Sequence, residues 1–248
     1  MMYREFGDRQ NQTIILLHGG GLSWWSFREA ARLLQSDFHI VLPILDGHAG
    51  SDRPFTTIED NAKEIVSFID ERCGGSVLMI GGLSLGGQVL LETLSTRRDI
   101  CSFALVESAA VIPSKLTNML VVPAFGGSYG LIRRRWFAKA QFKSLRIKPA
   151  LFEDYYRDTC RIAKEDMIAF MKANTSYALK ASFRRVSAEV HVYCGSRETR
   201  GIRRSAEAIR RNLPACHSRV LPGFYHGDFS INHADLYADT VRQIVRGG

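Results

Sequence analysis

The chain has 248 residues, of which 46% are hydrophobic and 23% are charged. These proportions are those of an ordinary globular protein, and they exclude a disordered, collagen-like or coiled-coil chain. The length favours one large domain with a sizeable core over two small ones. The net charge of +8 is unevenly placed, because residues 113–188 hold 15 lysines and arginines against 5 acidic residues and the rest of the chain is close to neutral.

The N-terminus and the cysteines indicate the cellular compartment. No apolar stretch typical of a signal peptide follows Met1. The five cysteines are widely spaced and include no Cys-x-x-Cys pair, so we expect neither a disulfide framework nor a zinc site. The longest uncharged run, Cys73 to Leu91, contains six glycines, which favours a buried strand–turn–helix over a membrane span. We therefore expect a cytoplasmic protein.

Short apolar runs alternate with amphipathic segments along the chain, a pattern typical of a parallel sheet wrapped by helices. Strands are predicted at Thr13–Leu17, His39–Leu42, Val77–Ile80, Phe103–Val106, Val190–Tyr193 and Arg219–Leu221. Helices are predicted at Trp25–Leu34, Ile58–Ile69, Gln88–Leu94, Ile202–Leu213 and Leu236–Val245. The alternation predicts an α/β fold with a mostly parallel central sheet.

Residues 111–185 break this alternation and carry the basic excess. Tyr155–Lys172 has a helical pattern, and Gly126–Gly127 and Pro149 are expected to break its surroundings. Because the segment is too long for a connecting loop, we predict a mobile helical cap inserted into a core domain of residues 1–110 and 186–248. A solvated helical face or a preference for anionic substrates explains the charge better than nucleic-acid binding, since no nucleic-acid motif is present.

The strongest chemical signal is Gly82-Leu83-Ser84-Leu85-Gly86, which lies between the strand Val77–Ile80 and the helix Gln88–Leu94. A Gly-x-Ser-x-Gly turn from a strand into a helix is the pattern of a nucleophile elbow. The glycines have no Cβ, so a strained backbone at Ser84 is tolerated, and the helix directs its N–H groups at the same point. We predict that Ser84 is a nucleophile.

A second glycine-rich turn, His18-Gly19-Gly20-Gly21, follows the first predicted strand. Acyl transfer needs N–H donors aimed at the developing oxyanion, and glycines let the backbone approach closely. We expect one donor from this loop, at Gly20 or Gly19. The other is expected from Leu85, the residue after the nucleophile.

A serine nucleophile needs a base, and seven histidines are available. His39 and His191 lie in apolar strands and are interpreted as packing residues, while His18 opens the glycine loop. His226 follows the last predicted strand, at the same carboxyl edge of the sheet as Ser84. We predict that His226 is the base.

Two glutamates compete for the acid that orients the base. Glu198 follows the strand Val190–Tyr193, and Glu107 follows the strand Phe103–Val106, so both lie at the required edge. Glu198 is preferred because it comes after residues 111–185 and before His226 in the chain, and Glu107 stays open as the alternative.

These motifs resemble the α/β-hydrolase family, in particular its lid-bearing serine hydrolases of the esterase and lipase type. The Ser84 elbow and the His18 loop carry the resemblance together with Asp46-Gly47-His48-Ala49-Gly50-Ser51-Asp52, Gly195-Ser196-Arg197-Glu198 and Pro222-Gly223-Phe224-Tyr225-His226-Gly227. The likeness covers nearly the whole chain outside residues 111–185 and implies a cap after the sixth strand of the family's usual count. Two positions depart from the pattern: the acid is usually aspartate, and Ala49 replaces the last glycine of a usual Gly-His-Gly.

The resemblance implies a cofactor-free serine hydrolase that cleaves carboxylic esters or related acyl bonds of a small molecule through Ser84, His226 and Glu198. The same fold serves thioester, lactone, amide and carbon–carbon hydrolysis and acyl transfer, and a slow-turnover ligand receptor is a further alternative. Trp24 and Trp25 either line the substrate pocket beside Gly19 or form the core face of the first helix. No metal, nucleic acid or membrane span is expected, and the sequence does not indicate the oligomeric state.

Overall fold

A computed structural model describes residues 1–247 of the chain. The strands are β1 (Tyr3–Phe6), β2 (Thr13–Leu17), β3 (His39–Pro43), β4 (Val77–Leu83), β5 (Cys101–Glu107), β6 (Glu189–Gly195) and β7 (His217–Leu221). They form one sheet in the order β1-β3-β2-β4-β5-β6-β7, in which only β1 and β3 pair antiparallel. The predicted α/β fold with a mostly parallel sheet is confirmed.

The helices are α1 (Arg28–Leu34), α2 (Ile58–Arg72), α3 (Leu85–Thr96), α4 (Lys115–Ile132), α5 (Arg135–Leu145), α6 (Phe152–Thr159), α7 (Lys164–Ser176), α8 (Arg200–Asn212) and α9 (Ala234–Gly247). Short 3-10 turns span Trp24–Phe27, Pro149–Leu151 and Ala181–Arg185, and a π-helical turn spans Asp228–Asn232. Across residues 1–247, none of the helices has both the length and the apolar character needed to cross a bilayer.

The sheet has an apolar layer on each face, because strand side chains alternate between the two faces. One layer joins the strands to helices α2, α3 and α8 through residues such as Leu17, Ile80, Val106 and Val192. The other joins them to α1 and α9 through residues such as Leu16, Met79, Leu105 and Tyr237. The sheet is therefore buried on both faces. The loops that follow the parallel strands lie at its carboxyl edge.

Residues 111–185, here called the helical insertion, lie between β5 and β6 and contain α4 to α7. The predicted helix Tyr155–Lys172 is divided into α6 and α7, since α6 ends at its C-cap Cys160 and the backbone at Ala163 is extended; between them, the Ile162 carbonyl accepts a hydrogen bond from Tyr129 Oη at 2.7 Å. Gly126–Gly127 was expected to break a helix but lies inside α4, where packing of Val121 and Ile132 overrides the low propensity of glycine.

The strand β1 is absent from the sequence prediction because its four residues, Tyr3-Arg4-Glu5-Phe6, place two adjacent charged residues between two aromatic ones and so lack the alternation typical of a strand. The helical insertion is uneven in its burial. Met167 and Phe170 of α7 are buried within the core, whereas Leu116 and Met119 of α4 are 71% and 73% exposed. The helix α7 is therefore packed as part of the body, and α4 forms the outer layer.

Candidate active site

Ser84 occupies the sharp turn between β4 and α3. Its φ of 54° and ψ of −112° place it outside the regions that residues with a Cβ normally adopt, and its N–H donates to the Glu107 carbonyl at 2.8 Å. A Cβ on Gly82 would overlap the Gly86 carbonyl, and one on Gly86 would overlap the Leu17 carbonyl. The two glycines of the motif are therefore required by backbone packing, which holds the strained serine in place.

His226 and Glu198 come together at the same edge of the sheet. His226 Nδ1 lies 2.7 Å from Glu198 Oε2, although the two residues are 28 positions apart in the chain. The Glu198 side chain is 1% exposed and the His226 side chain 48%, so the carboxylate is enclosed while the ring is open to the cavity. A buried carboxylate at Nδ1 fixes the tautomer of an imidazole and leaves Nε2 free to accept a proton.

Three donors keep Glu198 ionised. Burial alone would raise the pKa of Glu198, but hydrogen bonds from His226, from Gly195 N and from Ser108 Oγ outweigh that effect and lower it. The two donors on Oε1, Gly195 N and Ser108 Oγ, each lie 2.7 Å away. Ser108 has a φ of 57°, so a second strained serine in the structure supports the carboxylate.

Glu107, the alternative acid, makes no hydrogen bond to the His226 ring among the described residues. Its Oε1 accepts a hydrogen bond from Ser230 N at 3.4 Å, and its Oε2 has no partner among the described residues. Burial raises the pKa of Glu107 to about 7. The structure thus places Glu198, and not Glu107, against the His226 ring.

The glycine loop after β2 is held by two buried, neutral histidines. His18 Nε2 accepts from Leu45 N at 3.1 Å, and His48 Nε2 accepts from Gly21 N at 3.0 Å. Burial lowers the pKa of His18 to about 3 and that of His48 to about 4, so both rings stay uncharged at neutral pH. The Gly21 amide is committed to His48 and is unavailable to a substrate.

Gly20 lies directly beside Leu85, the residue that follows Ser84. A Cβ built on Gly20 would be 3.5 Å from Leu85 Cδ2, and β2 and β4 are neighbours with Leu17 paired to Gly82. The same Cβ would be 3.5 Å from Phe170, whose ring stacks on His48 with centroids 4.5 Å apart. Gly20 therefore lies next to both Leu85 and Phe170 of α7.

A cavity of about 490 Å³ opens on these residues. Ser84, His226, Gly19 and Gly20 line its floor, and Met167, Phe170 and Met171 of α7 line its roof. Within the described chain, Ser84 Oγ makes no direct hydrogen bond to the His226 ring, although both face this cavity. Such contacts commonly tighten only when a substrate is bound.

Trp24 and Trp25 do not line this cavity, which corrects their assignment to the substrate pocket. Trp25 is 1% exposed in the core, and its Nε1 donates to Asp158 Oδ2 at 2.9 Å. Trp24 lies at the edge of the same core, between the guanidinium groups of Arg4 and Arg28. Both residues therefore fit the other interpretation offered from the sequence, in which they form a core face at the start of the first helix.

The basic residues that face the cavity are not those of the Arg133–Arg135 run. Arg146 and Arg197 line its rim, and the Arg146 guanidinium lies 3.9 Å from the centroid of the Tyr225 ring. Arg135 instead pairs with Glu153. Ser108, Phe170 and Arg146 were not identified from the sequence, because no local motif marks them. A signal exists only for Phe170, in the apolar spacing of Met167, Phe170 and Met171.

Comparison with known proteins agrees with this architecture. The family model described as the alpha/beta hydrolase family matches residues 14–240. Lipase 1 of Psychrobacter immobilis is 28% identical over 124 residues, which cover 47% of this chain and 39% of that protein. An uncharacterized hydrolase of Saccharomyces cerevisiae is 32% identical over 156 residues, which cover 59% of this chain and 47% of that protein. The chain thus spans less than half the length of these two curated relatives.

A solved structure extends the likeness to the whole chain. A thermophilic esterase from Thermogutta terrifontis superposes with a TM-score of 0.81 over 99% of this chain and 93% of its own, at 18% identity. At that identity the likeness shows the fold. Because the family model matches far more than half of the sequence and the sheet has the same fold, the chain belongs to the alpha/beta hydrolase family.

Proposed function

We propose that this protein hydrolyses carboxylic esters of small molecules through Ser84, His226 and Glu198. The contact between Glu198 Oε2 and His226 Nδ1, at 2.7 Å in the cavity that Ser84 lines, is the observation that carries the proposal. An imidazole oriented by a buried carboxylate beside a serine on a strained turn is the arrangement that activates a hydroxyl for acyl transfer.

The reaction proceeds in two halves. Ser84 Oγ attacks the ester carbonyl carbon while its proton passes to His226 Nε2, and the resulting tetrahedral adduct expels the alcohol, which takes that proton. Water then attacks the acyl-enzyme and gives a proton to His226, and the second adduct collapses to release the acid and restore the Ser84 hydroxyl. Glu198 stays ionised throughout and stabilises the imidazolium.

The amides of Gly20 and Leu85 supply the oxyanion donors in this mechanism. Leu85 is the first residue of α3, so its N–H belongs to the positive end of that helix. Removing one such donor typically costs about 100- to 1,000-fold in kcat. The neutral His48 accepts a hydrogen bond from the loop that carries Gly20 and so holds that loop in place. This supports an oxyanion site that is already formed before the substrate binds.

The cavity supports a small acyl substrate. Its volume of about 490 Å³ lies in the range of ligand pockets, and its roof and floor are largely apolar. Arg146 and Arg197 at the rim favour esters with an anionic group at the end away from the carbonyl. No metal or other cofactor is used in this mechanism.

A serine-directed organophosphonate and a panel of acyl esters, lactones and thioesters of graded length test the proposal. We expect one label per chain at Ser84 and loss of ester hydrolysis in Ser84→Ala. Ser144 lines the same cavity, so Ser144→Ala is the matched control and should keep both labelling and turnover. Full activity in Ser84→Ala, or labelling of another serine, contradicts the proposal. Release of one equivalent of product per chain, without further turnover, indicates a ligand receptor instead of an enzyme.

A further inference from the structure

A second cluster of chemically active side chains lies at the opposite end of the sheet. Glu189 begins β6, and His191 lies two residues further, so both side chains point to the same face of the strand. His217 begins β7 and is the in-register partner of His191. The register of the two parallel strands thus brings together the side chains of Glu189, His191 and His217, although Glu189 and His217 are 28 positions apart in the chain.

The donor atoms of the three side chains converge. Glu189 Oε1 lies 2.8 Å from His191 Nε2 and 3.3 Å from His217 Nε2, and all three donors lie within 4.8 Å of one another. The two imidazole rings stack with centroids 4.7 Å apart. Donors around a tetrahedral zinc ion, at about 2.1 Å from the metal, are about 3.4 Å from one another. Changes of up to about 1.4 Å in these donor separations therefore suffice to bind one ion.

We propose that Glu189, His191 and His217 form a binding site for a divalent transition-metal ion, with Zn²⁺ as the reference ion. Two imidazoles and one carboxylate are a ligand set that suits zinc, copper and nickel, and water completes the coordination. The His191 side chain is 10% exposed and is held by the strand, whereas His217 is 64% exposed and gives the ion access.

The site is separate from the proposed catalytic residues. Glu189 and Gly195 are six residue steps apart along the extended strand, about 20 Å, and the turn that carries Glu198 begins after Gly195. A bound ion would join the edge strand β7 to β6 at their amino ends. Its expected effect is on stability, because β7 is otherwise held only along one side.

Calorimetric titration with ZnCl₂ near neutral pH, in a buffer that does not bind metals, tests the site. We expect one ion per chain in the wild type and at least tenfold weaker binding in His217→Gln. His39→Gln is the matched control, since His39 Nε2 lies 3.3 Å from Glu5 Oε1 without a second imidazole beside it, and its binding should equal that of the wild type. Zinc at a hundredfold excess over its Kd should raise the wild-type Tm by about 5 °C.

Two results would overturn the metal site: no saturable binding to the wild type, or equal binding and equal zinc-induced Tm shifts in the wild type and His217→Gln. Equal Tm values of the two proteins without zinc exclude a folding defect in the variant. Electron paramagnetic resonance with Cu²⁺ should show coupling to two imidazole nitrogens in the wild type and to fewer in His217→Gln. Ester hydrolysis without zinc should be the same in the wild type and in His217→Gln. The metal-site proposal and the proposed function can therefore be contradicted independently of each other.

Discussion

The carboxyl edge of the sheet and the helical insertion contribute to the same cavity in different ways. At the sheet edge, Ser84 and Glu198 follow their strands within three residues and are held by backbone donors and acceptors. The insertion contributes Met167, Phe170 and Met171 from α7, which are positioned by apolar packing. Backbone constraints fix Ser84 and Glu198, while side-chain packing shapes the cavity around them.

The sheet edge and the helical insertion also differ in the space around their glycines and in the placement of their basic residues. Gly82 and Gly86 at the sheet edge have no room for a Cβ, whereas Gly126, Gly127 and Gly130 of α4 have none of the surrounding atoms within 4 Å of that position. The basic excess of the insertion lies largely outside the cavity, and only Arg146 of its 15 basic residues faces it. Substitutions should therefore have large effects at the sheet edge and small ones on the outer insertion.

The largest expected effect separates the two glutamates of the sheet edge. Glu198→Gln should lower kcat by about 1,000- to 10,000-fold and approach the defect of His226→Ala, because the imidazole loses its orienting carboxylate. Glu107→Gln, at equal folded fraction, should lose much less, since Glu107 does not contact the ring. Steady-state kinetics on one ester measure both, and the reverse ranking would make Glu107 the acid.

One glycine from each region, Gly86 at the sheet edge and Gly130 in α4, allows a direct comparison of how tightly the two backbones are packed. Gly86→Ala should lower the free energy of unfolding by about 4 kcal/mol, because the new Cβ overlaps the Leu17 and His18 carbonyls. Gly130→Ala in α4 should raise it by about 0.5 to 1 kcal/mol, since alanine favours an open helical position. Urea denaturation measures both, and equal effects would remove the difference between the regions.

The buried Glu107 should make stability depend on pH. Its pKa is about 7 in the folded protein and close to 4.5 when unfolded, so the folded state holds the extra proton between these values. Its stabilising contribution is complete below about pH 4.5 and is lost as pH rises through about 7. The unfolding free energy of Glu107→Gln relative to the wild type should therefore increase by about 2 to 3 kcal/mol from pH 5 to pH 8. A constant difference across that range would contradict the buried, neutral carboxyl.

The smallest expected effect concerns the arginines. Arg146→Gln or Arg197→Gln should raise KM for anionic esters by about tenfold, and the loss should shrink at high salt because the charges lie at an open rim. The double variant Arg133→Gln/Arg134→Gln should change KM less than twofold, since both side chains are exposed and outside the cavity. Matching effects from the two pairs would mean that the whole insertion attracts the substrate.

The sequence predicts the sheet edge well because Ser84 and Glu198 each follow an apolar strand within three residues. Ser84 is marked by its glycines, and the choice of Glu198 over Glu107 from chain order agrees with the observed contact to His226. The insertion has no such regularity, and its helices are misplaced by local rules at Gly126–Gly127 and at residues 160–163. Packing against α7 and the sheet decides those elements, and propensity is weaker than packing.

The sequence by itself determined the order of strands and helices from β2 onward outside residues 111–185, the strained turn at Ser84 and the sheet edge at which Ser84, Glu198 and His226 gather, because these depend on local periodicity and on glycine sterics. Only the tertiary structure decided that Ser108 supports Glu198, that Phe170 covers the Gly20 loop and that His191 meets His217. Those contacts arise from strand register and from helix packing between distant segments. No local pattern of residues encodes either one.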